Sequence, residues 1–189
     1  MRSDDEATRT RLAKQSSFWH GYHLEMREVH RHNGDRLSAI LDEVGGWPGG
    51  DVVGSQGSED AWFIANHDIA NPKLMRRARD LMAEAVEMKQ ASAPQLAHLI
   101  DRILMFEGEP QRYGTQLGWD DDGGFGVWPP LIDPEHVDER RHDMGLVPLA
   151  EARASADQDP DRPKQLSQEE RDARRRGGEE FAISVGWRS

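Results

Sequence analysis

Just after a strongly apolar helical pattern, residues Gly108–Gln116 read Gly-Glu-Pro-Gln-Arg-Tyr-Gly-Thr-Gln. Gln111, Arg112, Tyr113, Thr115 and Gln116 gather amide, guanidinium, phenol and hydroxyl groups in one short loop. Such a loop either builds a site for a polar ligand or locks a corner of the fold, and the residues leave both open. His67 is the second feature able to do chemistry, in the nearly all-apolar run Ala61–Ala70. An imidazole changes charge near neutral pH, which suits a general acid or base or a metal ligand. The plainer reading is a core histidine bonded to a backbone carbonyl. Asp68 is next to it, but adjacent helix residues diverge, so Asp68 is not expected to orient His67.

Two further places carry polar groups where apolar ones are expected. Asn33 falls in the apolar stripe of Met26, Leu37 and Ile40, with His23 and His30 along one edge. A buried amide costs about 1–3 kcal/mol unless it is hydrogen-bonded. Asn33 therefore either pins the helix as a satisfied core amide or, with His30, walls a polar pocket. His23 and His30 are about 10 Å apart along the axis, too far to share one metal ion directly. Asp101-Arg102 interrupts Leu99, Ile100, Ile103 and Leu104. Two charges there are costly unless paired, which predicts an ion pair to a neighbouring helix. Alternatively Arg102 faces a cavity and grips a carboxylate or phosphate.

These residues must be positioned mainly by helices. Residues 1–19 read as a charged N-terminal helix or arm ending near Phe18 and Trp19. Tyr22–Val44 is helical by its apolar spacing, and Gly45-Gly46 stops it before the turn Trp47-Pro48-Gly49-Gly50. Ser58 with Glu59 and Asp60 predicts a helix start. Asn71-Pro72 predicts the next, with Leu74, Ala78, Leu81, Met82, Ala85 and Val86 on one face. Ser92 and Pro94 open another, which Gly108 closes.

Tyr113–Trp119 and Phe125–Trp128 then read as a hairpin around Asp120-Asp121-Asp122-Gly123-Gly124. That turn lacks the alternating ligands of a calcium loop, and turn chemistry accounts for it. Asp133 reads as the N-cap of a short helix in which Asp138 pairs with Arg141 or His142. Pro148 starts one more helix. Ser167-Gln-Glu-Glu170 is a capping box, Gly177-Gly178 is expected to end its helix, and Phe181, Ile183, Val185 and Trp187 alternate like a strand. The expected architecture is mainly α: a single-domain bundle of five or six helices with a small hairpin or ordered loop near 109–132. Its divisions are 1–19, a helical domain at 20–154 and a polar, charged C-terminal tail at 155–189, able to dock a protein partner by its last apolar residues.

Bulk composition narrows the function. The chain has 189 residues, a formal net charge of −11 and no cysteine. The negative balance argues against nucleic-acid binding, which needs clustered positive charge. Without cysteine there are no disulfides, thiolate metal sites or thiol nucleophiles. No stretch approaches the ~20 apolar residues of a membrane span, and the N-terminus lacks a signal-like apolar run, so a cytoplasmic protein is expected. The P-loop, His-Glu-x-x-His, dinucleotide and nucleophile-elbow motifs are all missing.

Taken together, Tyr22-His23, Met26, Val29-His30, Asn33, Trp47-Pro48, Ala61-Trp62, His67, Asp101-Arg102 and above all Gln111-x-Tyr113-Gly114-Thr115-Gln116 resemble an uncharacterised bacterial family, a DUF6624-like domain of unknown function. The resemblance covers roughly residues 20–151 and also takes in Ile132-Asp133-Pro134 and Val137–Arg141. It implies a mostly helical domain and offers no established activity. It also implies a His before the Trp-Pro pair, where this chain has Gly46, so no catalytic role is placed there.

Three functional readings follow from the residues. In the first, a pocket lined by His30, Asn33, His67 and Arg102 and closed by Gln111, Tyr113, Thr115 and Gln116 binds or processes a small polar or anionic molecule, with His67 as the acid–base group. In the second, His30 and His67 hold a divalent metal such as zinc or iron, with Asp101 or Asp138 completing the set. The third is a non-enzymatic, acidic immunity- or adaptor-like module. Whether the protein is an enzyme is left open by sequence.

Overall fold

Helix α2, Leu24–Val44, carries the apolar stripe that its spacing predicts, and it buries Met26, Leu37 and Leu41. His23 caps its start, its Nδ1 accepting from the Glu25 backbone amide at 3.3 Å. Gly45 ends it at φ 70°, a left-handed turn in which glycine avoids the Cβ penalty. The computed structural model describes residues 1–14, 22–119, 124–128, 130–158 and 166–189. The predicted helix end near Phe18 and Trp19 and the acidic turn at 120–123 lie outside the described residues.

The chain divides into two compact units, Met1–Ser92 and Ala93–Ser189. The first unit holds α1 (Arg2–Leu12), α2, α3 (Gly50–His67) and α4 (Pro72–Glu87). Helix α1 contacts both α2 and α3, and α4 contacts α3. Leu37, Leu41, Ile64, Met75, Ala78 and Met82 supply the buried interior. As the sequence predicts, Asn71 caps α4, its side chain accepting from the Leu74 amide at 3.1 Å. Ser58, in contrast, does not start a helix. Helix α3 begins at Gly50 and bends at Gly54, and Ser58 is buried where it accepts a 3.1 Å hydrogen bond from the Trp47 indole. The Asp-rich start signal loses here to the need of a buried indole N–H for an acceptor.

The second unit holds α5 (Ala93–Glu107), the antiparallel hairpin β1 (Leu117–Trp119) and β2 (Phe125–Val127), a 3-10 turn at Pro134–His136, α6 (Val137–Asp143), α7 (Leu149–Asp157) and α8 (Gln168–Ser184). Leu117 pairs with Val127 and Trp119 with Phe125. The protein is thus mainly α with one small hairpin, as expected. The capping box at Ser167 and Glu170 is present, but α8 runs through Gly177-Gly178 to Ser184, so Phe181 and Ile183 are helical and not in a strand. An alternation of only a few residues does not outweigh a helix already propagating from a good cap. The Phe106 ring stacks on Trp187 at 5.5 Å, and Arg188 donates to the Phe106 carbonyl at 2.7 Å, closing the end of α5. Among the described residues, no helix is long and apolar enough to cross a membrane.

Gly34 explains one constraint on α2. A Cβ built there would lie 2.0 Å from Oδ2 of the buried Asp68, so the carboxylate rests directly against the helix backbone. Alanine normally favours a helix interior over glycine by about 1 kcal/mol. Here we expect Gly34→Ala to destabilise by about 1–3 kcal/mol in urea melts, with part of the loss recovered in the Gly34→Ala, Asp68→Ala double variant. A stabilising Gly34→Ala would contradict the close approach.

Candidate functional site

The first unit brings three elements to one buried point. Helix α1 supplies Asp5, α2 supplies His30, and the last residue of α3 supplies His67. Asp5 Oδ2 lies 2.6 Å from His30 Nε2 and 3.6 Å from His67 Nδ1. One ligand atom from each residue falls within 4.8 Å of the others, a group able to hold a metal ion. Asp5 is 2% and His30 9% exposed. Asp5 Oδ2 is thus the polar contact of His30 Nε2, while the other carboxylate oxygen, Oδ1, is buried without a hydrogen bond. A buried carboxylate oxygen left this way is costly.

Neighbouring rings hold the two imidazoles. The Tyr22 hydroxyl lies 2.6 Å from His30 Nδ1, and the Tyr22 and His30 rings stack at 5.5 Å. The Phe63 ring is 3.9 Å from that of His67, and the two imidazoles are 5.7 Å apart. Asn33 is the satisfied core amide of the plainer reading: it is buried and donates to the Met1 carbonyl at 3.1 Å, so it fixes the start of α1.

The electrostatics follow from this packing. Burial alone would raise the pKa of Asp5, but His30 and His67 outweigh it and hold the carboxyl well below the usual carboxylate range. Burial, reinforced by the charges of Asp68 and Asp5, pushes the Tyr22 phenol far up, so it keeps its proton. Burial pushes Asp68 up to about 6, partly offset by Asn71 and His30. Both Asp68 oxygens are buried without a hydrogen-bond partner among the described residues.

In the second unit the remaining predicted residues converge on Asp101. This fully buried carboxylate accepts from the backbone amides of Arg112 at 2.8 Å, Tyr113 at 3.1 Å and Thr115 at 2.9 Å, and from the Thr115 hydroxyl at 3.0 Å. For Asp101 the expected ion pair to another helix is therefore replaced by a carboxylate capping a loop, and Arg102 Nε donates to Gln116 Oε1 at 3.2 Å. Gln111 and Gln116 close the loop reciprocally: the Gln116 amide donates to Gln111 Oε1 at 2.8 Å and Gln111 Nε2 to the Gln116 carbonyl at 2.9 Å. Arg141 Nη1 holds the Tyr113 carbonyl at 2.6 Å. Burial lowers the pKa of Arg141, and the charges of Asp138 and Asp101 offset this.

One expectation for the charged segment 133–142 is corrected and another holds in position only. Asp138 pairs with neither Arg141 nor His142; its Oδ1 accepts from the Leu149 amide at 2.7 Å, at the start of α7. Asp133 stands at the N-cap position as expected, at φ 49°, but its side chain caps no backbone amide and instead lies 3.0 Å from His136 Nδ1. A cleft of about 380 Å³ in this unit is lined by Arg112, Arg140, Glu109 and Asp133 among others, but not by Gln111, Tyr113, Thr115 or Gln116. Asp133, Glu135 and His136 form a second possible ligand group, exposed, as surface charges commonly are.

The predicted site residues thus fall into two sets, His30, Asn33 and His67 in the first unit and Arg102 with Gln111–Gln116 in the second. Sequence reasoning missed Asp5 and the hydroxyl role of Tyr22. The available signal for Asp5 was its i,i+7 relation to Leu12, the other buried residue of α1.

The chain belongs to a family of unknown function, DUF6624, whose model matches residues 3–158. That span begins before Asp5 and so includes α1, beyond the resemblance read from residues 20–151. No curated protein and no solved structure matches it.

Asp101→Ala should cost at least about 3 kcal/mol in urea unfolding, because three amides and a hydroxyl lose their acceptor, and the loss should be the same with and without added Zn²⁺. A loss that depended on metal would return Asp101 to a ligand role. Asp68 gives a pH signature. Its folded pKa of about 6 lies above the ordinary 3.8, so the folded state binds more protons between these values. Its contribution to stability therefore falls as pH rises from about 4 to 6 and stays low above. In chelator-containing buffer, the stability gap between Asp68→Asn and wild type should grow by on the order of 2–3 kcal/mol from pH 4 to pH 7. A gap independent of pH would contradict the assignment.

Proposed function

We propose that this member of the family holds one divalent transition-metal ion at Asp5, His30 and His67 and uses it in chemistry on a small polar or anionic molecule. The convergence of two imidazoles and a carboxylate, with ligand atoms within 4.8 Å of one another, carries the reading. Three protein ligands leave a position open, the pattern of catalytic rather than structural sites. Mixed nitrogen and oxygen donors suit zinc or iron better than calcium or magnesium.

The distances are compatible with loading. Two ligands about 2.0–2.1 Å from a tetrahedral metal stand about 3.3 Å apart. Asp5 and His67 at 3.6 Å are near that spacing, whereas Asp5 and His30 at 2.6 Å need to part by under ~1 Å. A bound metal supplies a Lewis acid or a water of lowered pKa. The protein supplies the rest: α1 delivers the carboxylate, Phe63 and Tyr22 hold the rings, and burial excludes bulk water. His67 is the more exposed of the two imidazoles, at 19%.

This reading changes the second sequence hypothesis in one respect. Asp5 takes the place given to Asp101 or Asp138, because both oxygens of Asp101 accept from backbone amides and Asp138 Oδ1 accepts from the Leu149 amide, while Asp5 faces both imidazoles. It also leaves the 111–116 loop as the corner its internal bonds describe.

The test uses full-length protein purified without a histidine tag, stripped with chelator and titrated with Zn²⁺ by calorimetry, with metal content measured by mass spectrometry. We expect about one ion per chain and a loss of at least ~10-fold in affinity for Asp5→Ala, His30→Ala and His67→Ala. Asp138→Ala should bind as wild type does. Absence of bound metal, or unchanged affinity in the three ligand variants, would overturn the proposal and favour the adaptor-like alternative.

A further inference from the structure

We infer that Tyr22 is the positioning residue of this centre, fixing through its hydroxyl which nitrogen of His30 is offered to the metal. The inference rests on the proposed site and deepens it. An imidazole ligates only through a nitrogen that carries no proton, and that choice is set by the hydrogen bond at the other nitrogen. In His30 the two nitrogens face different partners: Nδ1 meets the Tyr22 hydroxyl at 2.6 Å, and Nε2 meets Asp5 Oδ2 at 2.6 Å. With Nδ1–H donated to the phenol oxygen, Nε2 presents its lone pair beside the Asp5 carboxylate and His67. The opposite tautomer puts a proton on Nε2 and closes the site to a cation.

Tyrosine suits this role better than the residues that usually buttress a ligating histidine. A phenol both donates and accepts. With a metal on the Nε2 side the phenol oxygen accepts from Nδ1–H, so the hydroxyl occupies Nδ1 and leaves Nε2 as the nitrogen that faces Asp5 and His67. A carboxylate at position 22 would add a further negative charge beside Asp5 and Asp68, both already buried. Ring stacking at 5.5 Å with an interplanar angle of 29° orients His30 independently of the hydroxyl. The two contributions are separable by Tyr22→Phe, which keeps the ring and removes only the oxygen.

The experiment is a Co²⁺ titration of full-length wild type and Tyr22→Phe, followed by visible absorption, with helix content checked by circular dichroism. We expect Tyr22→Phe to stay helical, to bind Co²⁺ about 10–100-fold more weakly, and to show a shifted ligand-field band. In parallel, ¹⁵N spectra of ¹⁵N-histidine wild type loaded with Zn²⁺ should show His30 protonated at Nδ1 and metal-bound at Nε2, which tests the tautomer even if the variant folds poorly. Unchanged affinity and spectrum in Tyr22→Phe, or a metal on Nδ1, would overturn the role of Tyr22 while leaving the metal centre standing. Failure of wild type to bind Co²⁺ or Zn²⁺ would overturn both.

Discussion

A carboxylate removed from water must be met by donors, by cations or by a proton, and the helices of this protein are arranged around that requirement. Two fully buried aspartates meet it in opposite ways. In the second unit, Asp101 is saturated by three backbone amides and a hydroxyl, and the loop at 112–115 takes its shape from those bonds. In the first unit, Asp5 faces two imidazoles while one of its oxygens makes no hydrogen bond. Saturation describes a structural part. The unmet oxygen of Asp5, held at the junction of three helices, is the feature on which the proposed metal centre rests.

The deficit also governs how α1 is attached. Apart from Leu12, the helix buries little apolar surface, and its Arg2 contacts with Glu59 and Asp60 are partly exposed pairs of small worth. What remains is polar and internal: Asn33 on the Met1 carbonyl and the two histidines on Asp5. In the proposed centre, a cation shared by Asp5, His30 and His67 would also strengthen the docking of α1, since binding at a site completed only by folding adds its free energy to the fold.

Much of the scaffold was legible from residues alone, and the reasons differ from those that hid the site. The stripe of α2, the burial of Asn33 and the Asn71-Pro72 cap are local signals, written by periodicity and by backbone groups at helix ends. The hairpin and the capping box at Ser167 are local in the same sense. Asp5 was hidden because its burial is imposed by α2 and α3 on a segment whose own composition reads as a solvated arm. Asp101 was read as needing a cation because the amides that satisfy it belong to a loop whose turns have no sequence signature for pointing inward. The path of α8 through Gly177-Gly178 was hidden because two glycines usually stop a helix, and the outcome depends on how firmly the preceding turns are capped. His30 and His67 were both singled out, but the atom that joins them comes from a third element.

X-ray absorption at the zinc edge of the Zn²⁺-loaded protein tests the metal centre most directly, because it reads the ligands themselves. The account predicts a first shell of nitrogen and oxygen at about 2.0–2.2 Å, with the outer-shell scattering of two imidazoles. A shell of oxygen alone, or one without imidazole scattering, would contradict it.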